Sequence, residues 1–214
     1  MGMFDWIRDL LGLEKPDPNH EFESDLIWYD GEARMNGLVG VLEESQVKPM
    51  RQNQPIQARM LVAFFEESFE TVAKLVDARN WPIPVEAIMV DDLIQMAVPD
   101  AAFDASRAIE IIVFGRHPSW KQHVAFKEAI KRLPFPTRVR CYQSMDDALL
   151  KPFATPFVME IIKQSGFDES TPIESNMVTR RLINAQKKID ELSLSNQSAR
   201  SESEWINANA PGFG

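Results

Sequence analysis

Between residues 58 and 142 the chain alternates short apolar runs with segments of helical period. This rhythm constrains the fold more than any other feature. Arg59–Phe65, Val85–Val90, Ile109–Phe114 and Thr137–Tyr142 read as strands. Glu66–Arg79 repeats Phe69, Val72, Ala73 and Val76 at helical spacing, and Ser119–Lys131 reads as a second helix. Ala101–Arg107 reads as a short helix between two strands. Strands separated by helices cannot pair as hairpins. They form a mostly parallel sheet covered on both faces, so the expected fold class is α/β.

The flanking regions are less regular. Met3–Leu13 predicts a short amphipathic helix, with Phe4, Ile7, Leu10 and Leu11 on one face. It could dock on the domain, on a partner or on a membrane surface. Its polar face holds Asp5 and Asp9 against Arg8 alone, a poor match to anionic lipid. Glu14–Glu23, with Pro16 and Pro18, reads as a linker. Asp25–Arg34 reads as a strand entering a turn at Asp30-Gly31, and Gly37–Leu42 as either the returning strand or a helix. Thr171-Pro172-Ile173-Glu174 predicts a helix start, with Thr171 as cap and Glu174 closing a capping box. Beyond it Val178, Leu182, Ala185, Ile189 and Leu192 recur at steps of four and three, a seam that must pack on its own domain or on a partner. From Ser193 the composition predicts disorder. The expected divisions are 1–24 (helix and linker), 25–150 (α/β domain, with 25–57 the least defined part), 151–194 (helical segment) and 195–214 (tail).

Charge and cysteine content narrow the function. The net charge is −9, unevenly spread: residues 1–32 hold nine acids against two bases, and residues 116–140 seven bases against one acid. The basic stretch reads as a solvated face or as an anion-binding region with Trp120 and Phe126 interleaved. Cys141 is the only cysteine, which excludes an intramolecular disulfide and a cysteine zinc site and fits a reducing cytoplasm. In a strand it reads as a buried structural thiol. His117 and His123 are six apart, off the spacing of a helical metal pair, and with His20 read as surface or capping residues. Asp91-Asp92 and Asp146-Asp147 read as turns and helix starts. No metal site is expected, and no run is apolar enough to span a membrane.

The order of several motifs resembles SecA, the motor ATPase of bacterial protein export. The similarity is densest over 144–191, from Ser144-Met145-Asp146-Asp147 through Thr171-Pro172-Ile173-Glu174 to Glu191. This is where SecA leaves its second motor fold and enters its scaffold helix. Upstream, Gly115-Arg116-His117-Pro118-Ser119 is similar to the family's threonine-glutamate-arginine-histidine-glutamate-serine. Pro136, Arg140, Tyr142 and Leu149 fall in register with it. The resemblance thins toward residue 58. It implies a degenerate RecA-like sheet of the helicase C-terminal type, followed by a scaffold-like helix.

The departures bear on activity. The family's glycine-arginine-any-glycine-arginine falls on Glu128-Ala129-Ile130-Lys131-Arg132, which keeps only the last arginine. Val90-Asp91-Asp92 is followed by Gln95–Asp100 in place of a glycine-arginine motif. No glycine-rich run followed by Lys-Ser or Lys-Thr occurs, so the phosphate cradle and magnesium carboxylate of the first motor fold have no counterpart. The resemblance therefore implies a protein without catalytic residues and without a bound cofactor, ATP or ADP included. Arg116, Arg132 and Arg140 remain as a vestigial nucleotide or anion site. The protein would act by binding SecA, the translocon, a nascent chain or a second copy, through the seam Val178, Leu182, Ile189 and Leu192 and through Phe4, Ile7 and Leu11. It would be cytoplasmic, with the inner-membrane surface one of the three places at which residues 3–13 could dock. Two other readings remain: a nucleic-acid-binding helicase remnant, and an accessory subunit that completes a partner's ATPase site with Arg132 and Arg140.

Overall fold

The computed structural model describes residues 17, 19–50, 54–95, 108–164 and 171–213. The expected helices Met3–Leu13, with Phe4, Ile7 and Leu11, and Ala101–Arg107 lie outside the described residues, as does the segment 96–100.

Seven strands form one sheet: β1 (His20–Phe22), β2 (Leu26–Trp28), β3 (Ile56–Ala63), β4 (Val85–Met89), β5 (Ala108–Phe114), β6 (Thr137–Ser144) and β7 (Ile173–Glu174). Their order is β4-β3-β5-β6-β2-β7, with β1 also on β6. All pairings are parallel except β2 with β7. This mostly parallel sheet with flanking helices is an α/β fold consistent with a RecA-like domain.

Side-chain alternation sorts the core into two layers. Met60, Val62, Ile109, Ile111, Val113, Val139 and Cys141 face α3 (Val90–Gln95) and α4 (Trp120–Ile130). Leu61, Ile112, Phe114 and Tyr142 face α1 (Gly31–Glu43) and α2 (Glu66–Asp77). The second face also carries a charged row in strand register, Arg59–Glu110–Arg138. Arg59 Nε donates to Glu110 at 2.9 Å while fully buried, and Arg138 Nη2 donates to the carbonyls of Lys48 and Pro49 at 2.9 Å each.

Four local expectations are corrected. Asp30 does not turn the chain into a hairpin. Its Oδ1 accepts the Ala33 N–H at 2.8 Å and starts α1, which resolves Gly37–Leu42 as helix. Gly37 is required there, because a Cβ would stand 2.1 Å from the Trp28 ring. The linker Glu14–Glu23 contains β1, whose residues pair with Thr137–Val139. Thr171–Glu174 does not open a helix. Ile173 and Glu174 pair with Ile27 and Leu26, because the open edge of β2 satisfies an extended backbone, and the helix α6 begins at Asn176 and runs to Leu192.

The fourth correction concerns the tail. Residues 202–209 form α7 (Glu202–Asn209), capped by Ser201, with Trp205 and Ile206 buried. Serine-rich composition favours disorder, but two large apolar residues directly behind a capped start are enough to dock a short helix. Between β6 and β7 lie a 3₁₀ turn, Lys151–Phe153, and α5 (Pro156–Gln164). Among the described residues no helix is long and apolar enough to cross a membrane.

Candidate functional site: the carboxyl edge of the sheet

Open parallel sheets bind ligands beyond the carboxyl ends of their strands, where the strand order reverses. Here β3 leads to β4 on one side, while β5 leads to β6 on the other. The crevice between the ends of β3 and β5 is therefore the place to look. Gly115, at φ 84°, turns the chain out of β5 and delivers Arg116 and His117 to this edge. Phe64 and Phe65 arrive from β3.

The crevice is filled by the chain itself. The Trp205 ring meets the His117 ring edge-on at 4.8 Å between centroids, and Phe65 stacks on His117 at 5.3 Å. Phe64 joins His117 to Phe126. At the amino end of α2 the Glu67 N–H donates to the Arg200 carbonyl at 3.1 Å, and the Arg200 side chain pairs with Glu66 and Glu70. Beyond β6 the Glu202 carboxylate accepts the N–H groups of Ala148 and Leu149 at 2.9 and 3.1 Å. An indole, a carbonyl and a carboxylate thus occupy an aromatic crevice, a helix amino terminus and a pair of backbone donors. These are groups that could otherwise receive a base or a phosphate.

Beside the crevice lies a buried polar network. Arg116 Nε and Nη2 grip Asp25 at 3.0 and 2.8 Å. Gln143 donates to the same carboxylate at 3.0 Å. Arg116 Nη1 reaches His123 Nε2 at 3.1 Å and Gln186 Oε1 at 3.3 Å, and Gln186 Nε2 donates to the His117 carbonyl at 2.7 Å. An arginine only donates, so His123 Nε2 accepts. The network ties α6, through Gln186, to β2, β5 and β6. Removing one partner of such a buried pair costs about 3–5 kcal/mol.

Burial governs the ionisable groups. His117 is pushed down to about 4 by burial, and its Nδ1 accepts the Ser119 N–H at 2.9 Å, which suits the neutral ring. His123 lies well below the usual histidine range, from burial first and then from Arg116. His20 is also lowered by burial. Of the reading of the three histidines as surface or capping residues, the surface part is thus corrected: all are buried, and neutral imidazole fits that setting. Cys141 is the buried, free thiol expected of its strand, pushed up to about 12 by burial. Glu202 is pushed up to about 8, by burial first and then by the nearby Asp147. Asp147 in turn grips Arg34 at 2.8 Å and takes the Ser144 N–H at 2.9 Å, a turn as expected.

The three arginines named from the sequence are not brought together. Arg116 is buried against Asp25 at the carboxyl edge. Arg132 is exposed beyond the last turn of α4, toward the opposite edge. Arg140 sits within β6, paired with Glu23 at 2.5 Å. With Arg138 also turned inward, the basic stretch 116–140 does not form one exposed stripe. The seam on α6 is corrected too: Leu182 and Ile189 are buried with Ile27, Leu149, Trp205 and Ile206, and Val178 packs against them, while Leu192 stays 37% exposed. From Leu182 to Ile189 it closes on its own domain, while Val178, in the first turns, also lines a groove.

Trp205, Glu202 and Arg200 were not foreseen. The signal was present in Ser201-Glu202-Ser203-Glu204, a helix-start pattern, followed directly by Trp205-Ile206. Among the described residues no cluster of histidine, cysteine and carboxylate side chains could hold a metal ion.

Sequence comparison also finds SecA. The chain is 37% identical over 81 residues to the protein translocase subunit SecA of Thermus thermophilus. It is 32% identical over 82 residues to that of Dehalococcoides mccartyi and 38% over 82 residues to that of Campylobacter concisus. About 38% of the chain is SecA-like. The match spans only 8–9% of the length of those SecA subunits. No protein-family model matches the chain.

Proposed function

We propose that this protein serves protein translocation by binding, and that it does not hydrolyse ATP. The observation that carries this reading is the filled crevice. A nucleotide laid over the ends of β3 and β5 would have to displace Trp205 from His117, and a phosphate at the amino end of α2 would meet the Arg200 carbonyl. The sequence supports it independently. The chain has nine glycines and no run resembling a phosphate loop, and Ala129 stands where the resemblance expects an arginine. Its partners are a complete SecA, a translocon subunit or a nascent chain, met on the cytoplasmic side. The accessory-subunit reading would rest on Arg132, the one exposed member of the three arginines.

Two measurements test the proposal. The full chain is titrated with a fluorescent ADP and assayed for phosphate release, alone and with purified SecA. No saturable binding and no turnover by the chain alone are expected. Turnover by the chain alone would overturn the non-catalytic part. Stimulation of SecA turnover that is lost in Arg132→Ala would favour the accessory-subunit reading instead. In parallel, the tagged chain is used to capture proteins from a nuclease-treated lysate that holds the Sec machinery. Recovery of SecA or translocon subunits is expected, and their absence would overturn the translocation role.

A further inference from the structure

Beyond that reading, one surface of the fold is left open. A groove of about 660 Å³ lies between α5, β7 and the first turns of α6, with Ile27, Met145 and Leu150 on its floor and Phe153, Ile161 and Met177 on its walls. No residue of α5 is buried. Three of the eight large apolar side chains exposed in the described residues stand on these walls: Phe153, Ile161 and Met177 (66% exposed). Apolar surface gathered in this way marks a contact site.

We propose that the groove receives this chain's own segment Phe4–Leu13, bound as an amphipathic helix. Size is the first argument. Ten residues of helix span about 15 Å, and the nine residues of α5 about 14 Å. Phe4, Ile7, Leu10 and Leu11 present one apolar face to fill the cleft.

Reach is the second argument. β1 begins where His20 faces Thr137, and the floor residue Ile27 faces Gln143, six residues further along β6, or about 20 Å. Asp17 Oδ1 accepts the N–H groups of Asn19 and His20 at 2.8 and 3.2 Å, a turn just ahead of β1. The four steps from Leu13 to Asp17 reach up to about 14 Å, which puts residues 4–13 within range of the groove.

Charge is the third. Asp5 and Asp9, one turn apart beside the apolar face, meet Arg181 in the groove wall and the exposed Lys151 next to it. The tether also gives the chain's own segment an advantage over a second copy, since a short linker corresponds to an effective concentration in the millimolar range.

The test uses the full chain. Thr155→Cys, at an exposed position on the groove wall, is labelled with a benzophenone maleimide. Cys141 stays unlabelled, because it is buried and its thiol is pushed up to about 12. After irradiation, mass spectrometry maps the adducts. Intramolecular adducts on residues 3–13 are expected, falling about tenfold in Ile7→Asp, which puts a charge on the apolar face. Adducts that join two chains would overturn the proposal in favour of a second copy. Adducts confined to residues 152–182 would overturn it as well, leaving the groove without this occupant. Hydrogen exchange of α5 gives an independent readout: protection lost in Ile7→Asp supports the docking, and unchanged protection contradicts it.

Discussion

Helix α6 contributes to two apolar regions with opposite fates. Its middle, Leu182, Ala185 and Ile189, is sealed under α7 and the ends of the sheet. Its first turns, with Met177 and Val178, line an open groove. The apolar spacing is the same along the whole helix. What differs is whether a second element reaches across: Trp205 and Ile206 cover the middle, whereas α5 stands beside the first turns without closing over them. An apolar stripe therefore shows that a helix face needs a partner, but the supplier is set by the rest of the fold.

The largest effect expected is from Leu182→Asp with Ile189→Asp. Each substitution buries a carboxylate without a partner, at more than about 4 kcal/mol, so the pair should abolish the cooperative urea transition. A folded double mutant would mean that the middle of α6 is not sealed. Trp205→Ala comes next. It should cost about 3–5 kcal/mol and open the crevice at His117, detected as a lower urea midpoint and faster exchange of the Phe65 amide. An unchanged midpoint would reduce α7 to a surface decoration.

Glu202→Gln probes the same lid through pH. Glu202 binds its proton more tightly in the folded chain, at about 8 against an ordinary 4.5. Its contribution is therefore complete below about 4.5 and is lost as pH rises through about 8. Glutamine cannot ionise, so the variant should gain on the parent across this window, by on the order of 5 kcal/mol at pH 9. His117, lowered to about 4, contributes the opposite slope below 6.5, but it is common to both proteins and cancels in their difference. Parallel stability profiles would remove Glu202 from the lid's energetics. The smallest effect is expected from Met177→Asp on the groove wall, about 1 kcal/mol, because it weakens only the docking of Phe4–Leu13. No loss there would show that the groove stays open in solution.

Much of the sheet was legible because it is written in local patterns. Arg59–Phe65, Ile109–Phe114 and Thr137–Tyr142 read as strands from their continuous apolar runs, and Ser119 marked the start of α4. Asp30 was legible as a punctuation mark but not as a cap, since the same residue serves a turn or a helix start until its neighbours are known. The candidate site was less legible. Arg116 looked like an anion ligand because its charge is visible, whereas Asp25, 91 residues away in sequence, is not visibly its partner. Arg138 and Arg140 misled in the same way, as their acids lie on neighbouring strands.

The sequence alone determined the α/β class, the strand and helix periods and the SecA-like order of motifs, because each depends on residues near one another in the chain. Only the tertiary structure decided which charges neutralise each other, which half of the α6 stripe is sealed, and that the ligand crevice is filled by Trp205. These depend on contacts between distant segments, and burial in a low-dielectric interior makes those contacts, not the residue types, set the energies.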